Sequence, residues 1–174
     1  MMDGGYSMEN PVDRTLFRDA MSRLGAAVSV VTSDGPAGPC GTTVTAVSSV
    51  TDTPATLLVC INRSARANTI IKVNGNLCIN VLAQDDAGTA SHFAGMTGIA
   101  MENRFDGLSR RPLVTGAPVL PGVLVAFDCN LDEVVEAGTH SIFLAQVQQI
   151  EIGRDAGALI YFQRRYSTLR EIAV

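Results

Sequence analysis

The sequence contains no CxxC pair, and its two histidines, His92 and His140, lie in distant segments, which argues against a metal centre. It has no run of Lys or Arg, and its formal net charge is -4. It therefore lacks the clustered cations with which proteins grip nucleic acid or an anionic membrane. No GxGxxG follows a strand-like run, and GxxxxGK(S/T), GxSxG and HExxH are missing. The usual signatures of dinucleotide, P-loop, hydrolase and zinc-protease sites are thus absent. No apolar run reaches the roughly 18 residues of a spanning helix, and no leader joins a basic start to an apolar stretch and a small-residue cleavage site. The expectation is a cytoplasmic protein with no nucleic-acid or membrane partner.

What is present is apolar. Hydrophobic residues make up 47% of the 174 positions and charged residues 17%, which predicts that some apolar surface is covered, most simply by a second copy of the chain. The length is that of one domain. Cys40, Cys60, Cys78 and Cys129 read as reduced, structural thiols, because they never approach CxxC spacing and three of them sit in strand-like apolar runs. Residues 1–12 carry Gly-Gly and Asn-Pro breakers and read as a disordered leader; residues 13–174 read as the single domain.

Residues 13–24 place Leu16, Phe17, Ala20, Met21 and Leu24 at helical spacing behind Asp13, a predicted N-cap, with Gly25 as the stop. Seven β-branched runs follow: AVSVVTS, GTTVTAVSSV, TLLVCIN, NLCINVL, VLVAFDCNLDEVVEA, SIFLAQVQQIEI and ALIYFQRRY. Turn-rich links such as SDGPAGPCG leave little room for βαβ units, so the fold class is mainly β, a closed antiparallel barrel with a few short helices. Two inserts read as helices: one after Ser64, with Ile70, Ile71 and Val73 as apolar contacts, and one that places Ala87, Ala90 and Phe93 on a common face.

Four stretches carry candidate chemistry, each with a plain structural alternative. Residues 41–54 alternate small hydroxyl residues with Val and Ala; this suits either a flat polar ring laid on a strand or a Thr-rich edge strand favoured by propensity. Residues 61–69 bring Arg63, Ser64 and Arg66 to a predicted helix start, either a phosphate site or an ordinary hydroxyl cap with solvated arginines. In YFQRRY, read as one strand, Tyr161, Gln163 and Arg165 would share a face opposite Phe162, Arg164 and Tyr166. This is either a wall for a planar ligand or an outward-facing strand. His140, after a glycine at a strand start, either bonds the turn or acts in chemistry; His92 carries the same two readings.

Taken together and in order, these stretches, with NGNLCINVL, HFAGM, NRF, GTH and GALIYF, resemble the short-chain flavin reductase family over roughly residues 14–169. The resemblance implies a homodimer of FMN-binding split β-barrels with Greek-key connections. It implies an oxidoreductase that moves a hydride from NADH, with NADPH left open, to FMN or FAD and supplies reduced flavin to a partner monooxygenase. Two alternatives stand beside it: a flavoprotein reductase of a bulky cobalt corrinoid, for which the short LSRRPL loop leaves a different mouth, and a non-catalytic flavin-binding module.

By the same resemblance, the strand Thr43, Val44, Thr45, Ala46, Val47, Ser48 and Ser49 runs along the isoalloxazine. Asn62, Arg63, Ser64 and Thr69 approach the phosphate. Asn80, Phe93, Ala94, Gly95 and Arg104 border the flavin. The wall read from YFQRRY adds Phe162, Arg165 and Tyr166 as candidate cofactor contacts. His140 would orient the nicotinamide. The family's usual Gly-Asp-His reads Gly138-Thr139-His140 here, so no carboxylate stands beside the histidine, and the tryptophan often found after the Arg-Phe pair is absent.

Overall fold

The computed structural model describes residues 12–170. The expected leader, Val12 apart, lies outside these residues. The chain opens with helix α1 (Arg14–Met21), whose N-cap Asp13 accepts a hydrogen bond from the Leu16 N–H at 2.8 Å. The helix ends at Ser22, ahead of the expected stop at Gly25. Strands follow: β1 (Ala26–Ala27), β2 (Ser29–Ser33), β3 (Cys40–Val44), β4 (Val47–Asp52) and β5 (Ala55–Asn62). Helix α2 (Arg66–Asn74), β6 (Asn76–Val81) and helix α3 (Ala87–Phe93) come next. The chain closes with β7 (Arg111–Pro112), β8 (Pro118–Val119), β9 (Val125–Ala137), β10 (His140–Ile152), β11 (Leu159–Phe162) and β12 (Arg165–Thr168).

The main sheet has seven antiparallel strands in the order β3-β2-β6-β9-β10-β5-β4. Its two edges, β3 and β4, are consecutive in the chain and are joined by Thr45 and Ala46 alone. The sheet must therefore curl until its edges meet, and the Cys60 N–H stitches the corner to β5 by donating to the Ala46 carbonyl at 3.0 Å. The single strand expected over residues 41–50 is thus two strands and a corner. No Gly or Pro marks the break, because topology imposes it.

The run ALIYFQRRY is likewise not one strand. Gln163 and Arg164 adopt φ of +48° and +62° and turn β11 back onto β12, so Tyr161 pairs with Tyr166 and Phe162 with Arg165. The expected division of faces is corrected accordingly: Tyr161 and Tyr166 share a face, with ring centroids 5.6 Å apart.

Strands β2 and β6 are buried on both faces, so each feeds two packed layers. On one side Val31, Val59, Leu77, Ile79 and Phe143 enclose Ile70 and Ile71 of α2. On the other, Val30, Cys78 and Leu82 pack under Phe93 and Phe105. Gly41 makes the second layer possible, since a Cβ there would stand 2.5 Å from the Phe93 ring. Val73, expected to supply apolar contact, is exposed. The helix it belongs to ends with Gly75 at φ +70°, a conformation glycine adopts without steric cost.

All four cysteines are unpaired, as expected, and all four lie in strands, Cys40 included, which the sequence places in a turn-rich link. Burial first, then the nearby Asp34, pushes the Cys40 thiol up to about 12. Burial and then Asp128 do the same to Cys129, also about 12. Such thiols stay protonated and inert at neutral pH.

Candidate active site

The β9–β10 hairpin fixes the histidine. Its loop is Gly138-Thr139, with Gly138 at φ +56°, a left-handed conformation that glycine enters freely. That turn starts β10 at His140, which pairs with Ala137 on one side and with Asn62, the last residue of β5, on the other. The Arg63 N–H donates to the Thr139 carbonyl at 2.9 Å and locks the two strand ends together. Thr139 Oγ1 lies 2.9 Å from His140 Nδ1, so a hydroxyl bonds the imidazole.

Beyond β5 the chain forms a tight polar turn. Asn62 Oδ1 accepts from the Ser64 N–H at 2.9 Å and the Ser64 hydroxyl at 2.8 Å. The bonds use the amide oxygen and leave the amide nitrogen for an incoming group. The N-cap of α2 is Ala65, which has no side-chain bond, so the expected hydroxyl cap by Ser64 is corrected: its hydroxyl serves the turn.

Three connected hollows make one trough along this edge. The first, about 800 Å³, is lined by Arg14, Phe17, Arg18, Asn62, Arg63, Ser64, Gly138, Thr139 and His140. The second, about 670 Å³, shares Phe17, Arg18 and His140 and adds Met21, Leu24, Thr45, Tyr161 and Arg164. The third, about 540 Å³, shares Thr45, Tyr161 and Arg164 and adds Thr43, Val44, Ala94, Met96, Arg165 and Tyr166. No acidic side chain lines any of them, and five arginines do, in a chain of net charge -4. Each hollow falls within the roughly 300–1,000 Å³ of common ligand pockets. The trough fits an elongated anionic ligand with a planar part.

The trough unites ten of the expected residues: Thr43, Val44, Thr45, Asn62, Arg63, Ser64, Ala94, His140, Arg165 and Tyr166. Others stand apart from its lining. Ala46 is the corner, Ser48 and Ser49 are exposed on β4, and Val47 packs against the core. Thr69 is exposed on α2, and Phe162 sits at the tip of the small hairpin, 41% exposed.

Two of the expected residues have side chains buried in the core. Asn80 is wholly inaccessible: its Nδ2 donates to the Val30 carbonyl at 3.1 Å and its Oδ1 accepts from the Leu120 N–H at 2.8 Å, so it braces the core. Phe93 is also fully buried, edge-on to Phe105 at 5.3 Å, and its part is to seat α3. Arg104 acts as a strut, donating to the Phe93 carbonyl at 3.0 Å and the Gly41 carbonyl at 3.3 Å. It lies so near Gly95 that a Cβ there would meet its guanidinium at 2.8 Å. His92 is structural, with Nε2 2.8 Å from the Arg104 carbonyl.

The sequence reading missed α1 as a wall of the trough. Phe17 and Met21 of its apolar stripe, with Leu24 just past its end, face the hollow instead of a core, and no residue of α1 is buried. Arg14 and Arg18, one turn apart beside that stripe, were the available signal.

The family model for the flavin reductase like domain matches residues 21–170. The chain belongs to that family. It is 48% identical over 154 residues to the 4-hydroxyphenylacetate 3-monooxygenase reductase component of Pseudomonas aeruginosa, covering 88% of this chain and 91% of the relative. It is 48% identical over 158 residues to the FMN reductase (NADH) RutF of Serratia proteamaculans, covering 91% and 89%. Among solved structures it resembles BorF, the flavin reductase component of a bacterial two-component tryptophan halogenase. The TM-score is 0.84 at 30% identity, covering 92% of this chain and 100% of BorF. Among the described residues no helix is long and apolar enough to cross a membrane, and no cluster of metal-binding side chains occurs.

Proposed function

We propose that the chain is an NADH-dependent flavin reductase that takes up oxidised FMN or FAD in the trough, reduces it, and releases it to a separate oxygenase. The observation that carries this reading is the acid-free trough in which Asn62–Ser64, His140 and Thr43–Thr45 converge. Relatives sharing nearly half the sequence are named as an FMN reductase and as a monooxygenase reductase component.

Thr43–Thr45 and the Tyr161–Tyr166 pair offer a flat, narrow wall with hydroxyl and backbone donors, suited to a planar ring. The turn at Asn62–Ser64 offers an amide nitrogen and Arg63 to an anionic tail. A bound flavin supplies the hydride acceptor. His140, at the head of β10, hydrogen-bonds the nicotinamide side of the dinucleotide and sets its orientation. Alignment of the two rings matters more than proton transfer, because the hydride passes directly between them.

A homodimer of split barrels completes this proposal. Val50 on β4, Val135 on β9, and Ile150 and Ile152 on β10 are exposed apolar side chains that a second copy would cover.

Steady-state NADH oxidation tests the proposal. Turnover that requires added FMN or FAD is expected. Absence of turnover with either flavin would instead favour a binding module. A yellow protein that turns over without added flavin and reduces a cobalt corrinoid would favour the corrinoid alternative.

A further inference from the structure

We infer that α1 is part of the nucleotide site: Arg14 and Arg18, facing Arg63 across the trough, clamp the phosphates of a bound nucleotide. The identity of the nucleotide rests on the flavin reductase reading. The clamp itself rests on the placement of α1.

Arg14, Phe17 and Arg18 stand at i, i+3 and i+4, one face of the helix, and all three line the hollow that holds Ser64 and His140. Packing does not explain why the helix lies there, since none of its residues is buried and Phe17 is 56% exposed. Polar docking does. The Gln163 N–H donates to the Ser22 carbonyl at 2.7 Å, and Arg164 pairs with Asp19. Both docking residues form the two-residue turn of the β11–β12 hairpin, which requires positive φ at both positions and so fixes the tip that meets α1. The hairpin tip therefore holds α1 against the trough.

Charge makes the held face specific. Arg63 is matched by Glu136 at 2.9 Å, whereas among the described residues no acidic group pairs with Arg14 or Arg18. Two guanidiniums with no counter-charge among the described residues, beside a third and a serine hydroxyl, form a fork-shaped donor set that matches phosphate oxygens. Phe17 between them offers a face to the attached ring system.

The phosphate can belong to the flavin or to the nicotinamide dinucleotide, and kinetics separate them. The Arg14→Ala/Arg18→Ala double variant is assayed with NADH against N-benzyl dihydronicotinamide as donors, and with FMN against riboflavin as acceptors. The expected result is a KM raised roughly tenfold or more for the phosphate-bearing member of one pair, with its phosphate-free counterpart unchanged. The Arg→Lys double variant restores part of the loss. Changes of equal size in both members of each pair, or no change in either pair, would overturn the clamp. Calorimetric binding of inorganic pyrophosphate is independent of turnover: the wild type binds and the double variant loses binding. Pyrophosphate affinity unchanged by the double variant would refute the clamp even if the protein reduced no flavin, whereas a wild type that binds pyrophosphate but never oxidises NADH would refute the reductase reading alone.

Discussion

His140 and Asn62 are direct partners across the β5–β10 ladder, although 78 positions apart in the chain. This pairing sets the histidine beside the turn that offers donors to an anionic tail. The side chain is exposed, and its only hydrogen-bond partner among the described residues is Thr139. It is placed for contact with a ligand and contributes little to the fold.

Replacing His140 with Ala is therefore expected to raise the KM for NADH about tenfold, the loss of one good hydrogen bond, with flavin affinity and Tm little changed. Steady-state kinetics and a flavin fluorescence titration on the same preparation check this. Unchanged nicotinamide kinetics would remove His140 from the site.

Gly41→Ala tests the seat of the trough. The added methyl would press on the Phe93 ring at 2.5 and 2.6 Å, and that ring is wedged against Phe105. Overpacking of this kind costs about 1–3 kcal/mol. Denaturant unfolding should show the loss, accompanied by weaker flavin binding as α3 and Ala94 shift.

Glu136 links stability to pH. Hydrogen bonds from Lys72 and Ser141, then the charges of Lys72 and Arg63, hold its carboxyl below the ordinary glutamate range. A carboxylate depressed in the folded state adds stability above its unfolded pKa and loses it as pH falls through the folded value. The Tm difference between wild type and Glu136→Gln should thus be largest near neutrality. It should shrink as the pH drops below about 4, the ordinary range of glutamate. A difference that grew on acidification would contradict the assignment.

The turn at Gln163–Arg164 predicts a gain. Asn tolerates the left-handed conformation better than Gln, so Gln163→Asn is expected to stabilise the hairpin by up to about 1 kcal/mol. A rise in Tm without loss of the Arg164–Asp19 pair is the outcome to look for.

Much of the fold can be read from the sequence because strand-forming runs announce themselves. TLLVCIN, NLCINVL and SIFLAQVQQIEI are all strands. The exceptions share a cause. Thr45–Ala46 is a corner and Gln163–Arg164 a two-residue hairpin turn, both without Gly, Pro or Asn-Gly; sheet closure and strand pairing dictate them, and nothing local marks them. The apolar stripe of α1 has the same pattern whether it faces a core or a ligand trough. Within the site, the segments at Asn62–Ser64 and Gly138–His140 could be found by their turn chemistry and family resemblance. Asn80 and Phe93 lie in equally suggestive segments but are consumed by the core, a difference that only tertiary packing decides. The α1 arginines lie about 45 residues from the nearest of the other trough residues in that hollow, so no local motif connects them to it.

The central claim is that the trough holds the flavin. Titration of FMN into isotopically labelled protein, followed by backbone amide NMR, tests it directly. Shifts concentrated at Thr43–Thr45, Asn62–Ser64 and Thr139–His140 are the predicted result. Shifts concentrated elsewhere, such as the small hollow between Arg111 and Glu151, or no saturable shifts at all, would contradict it.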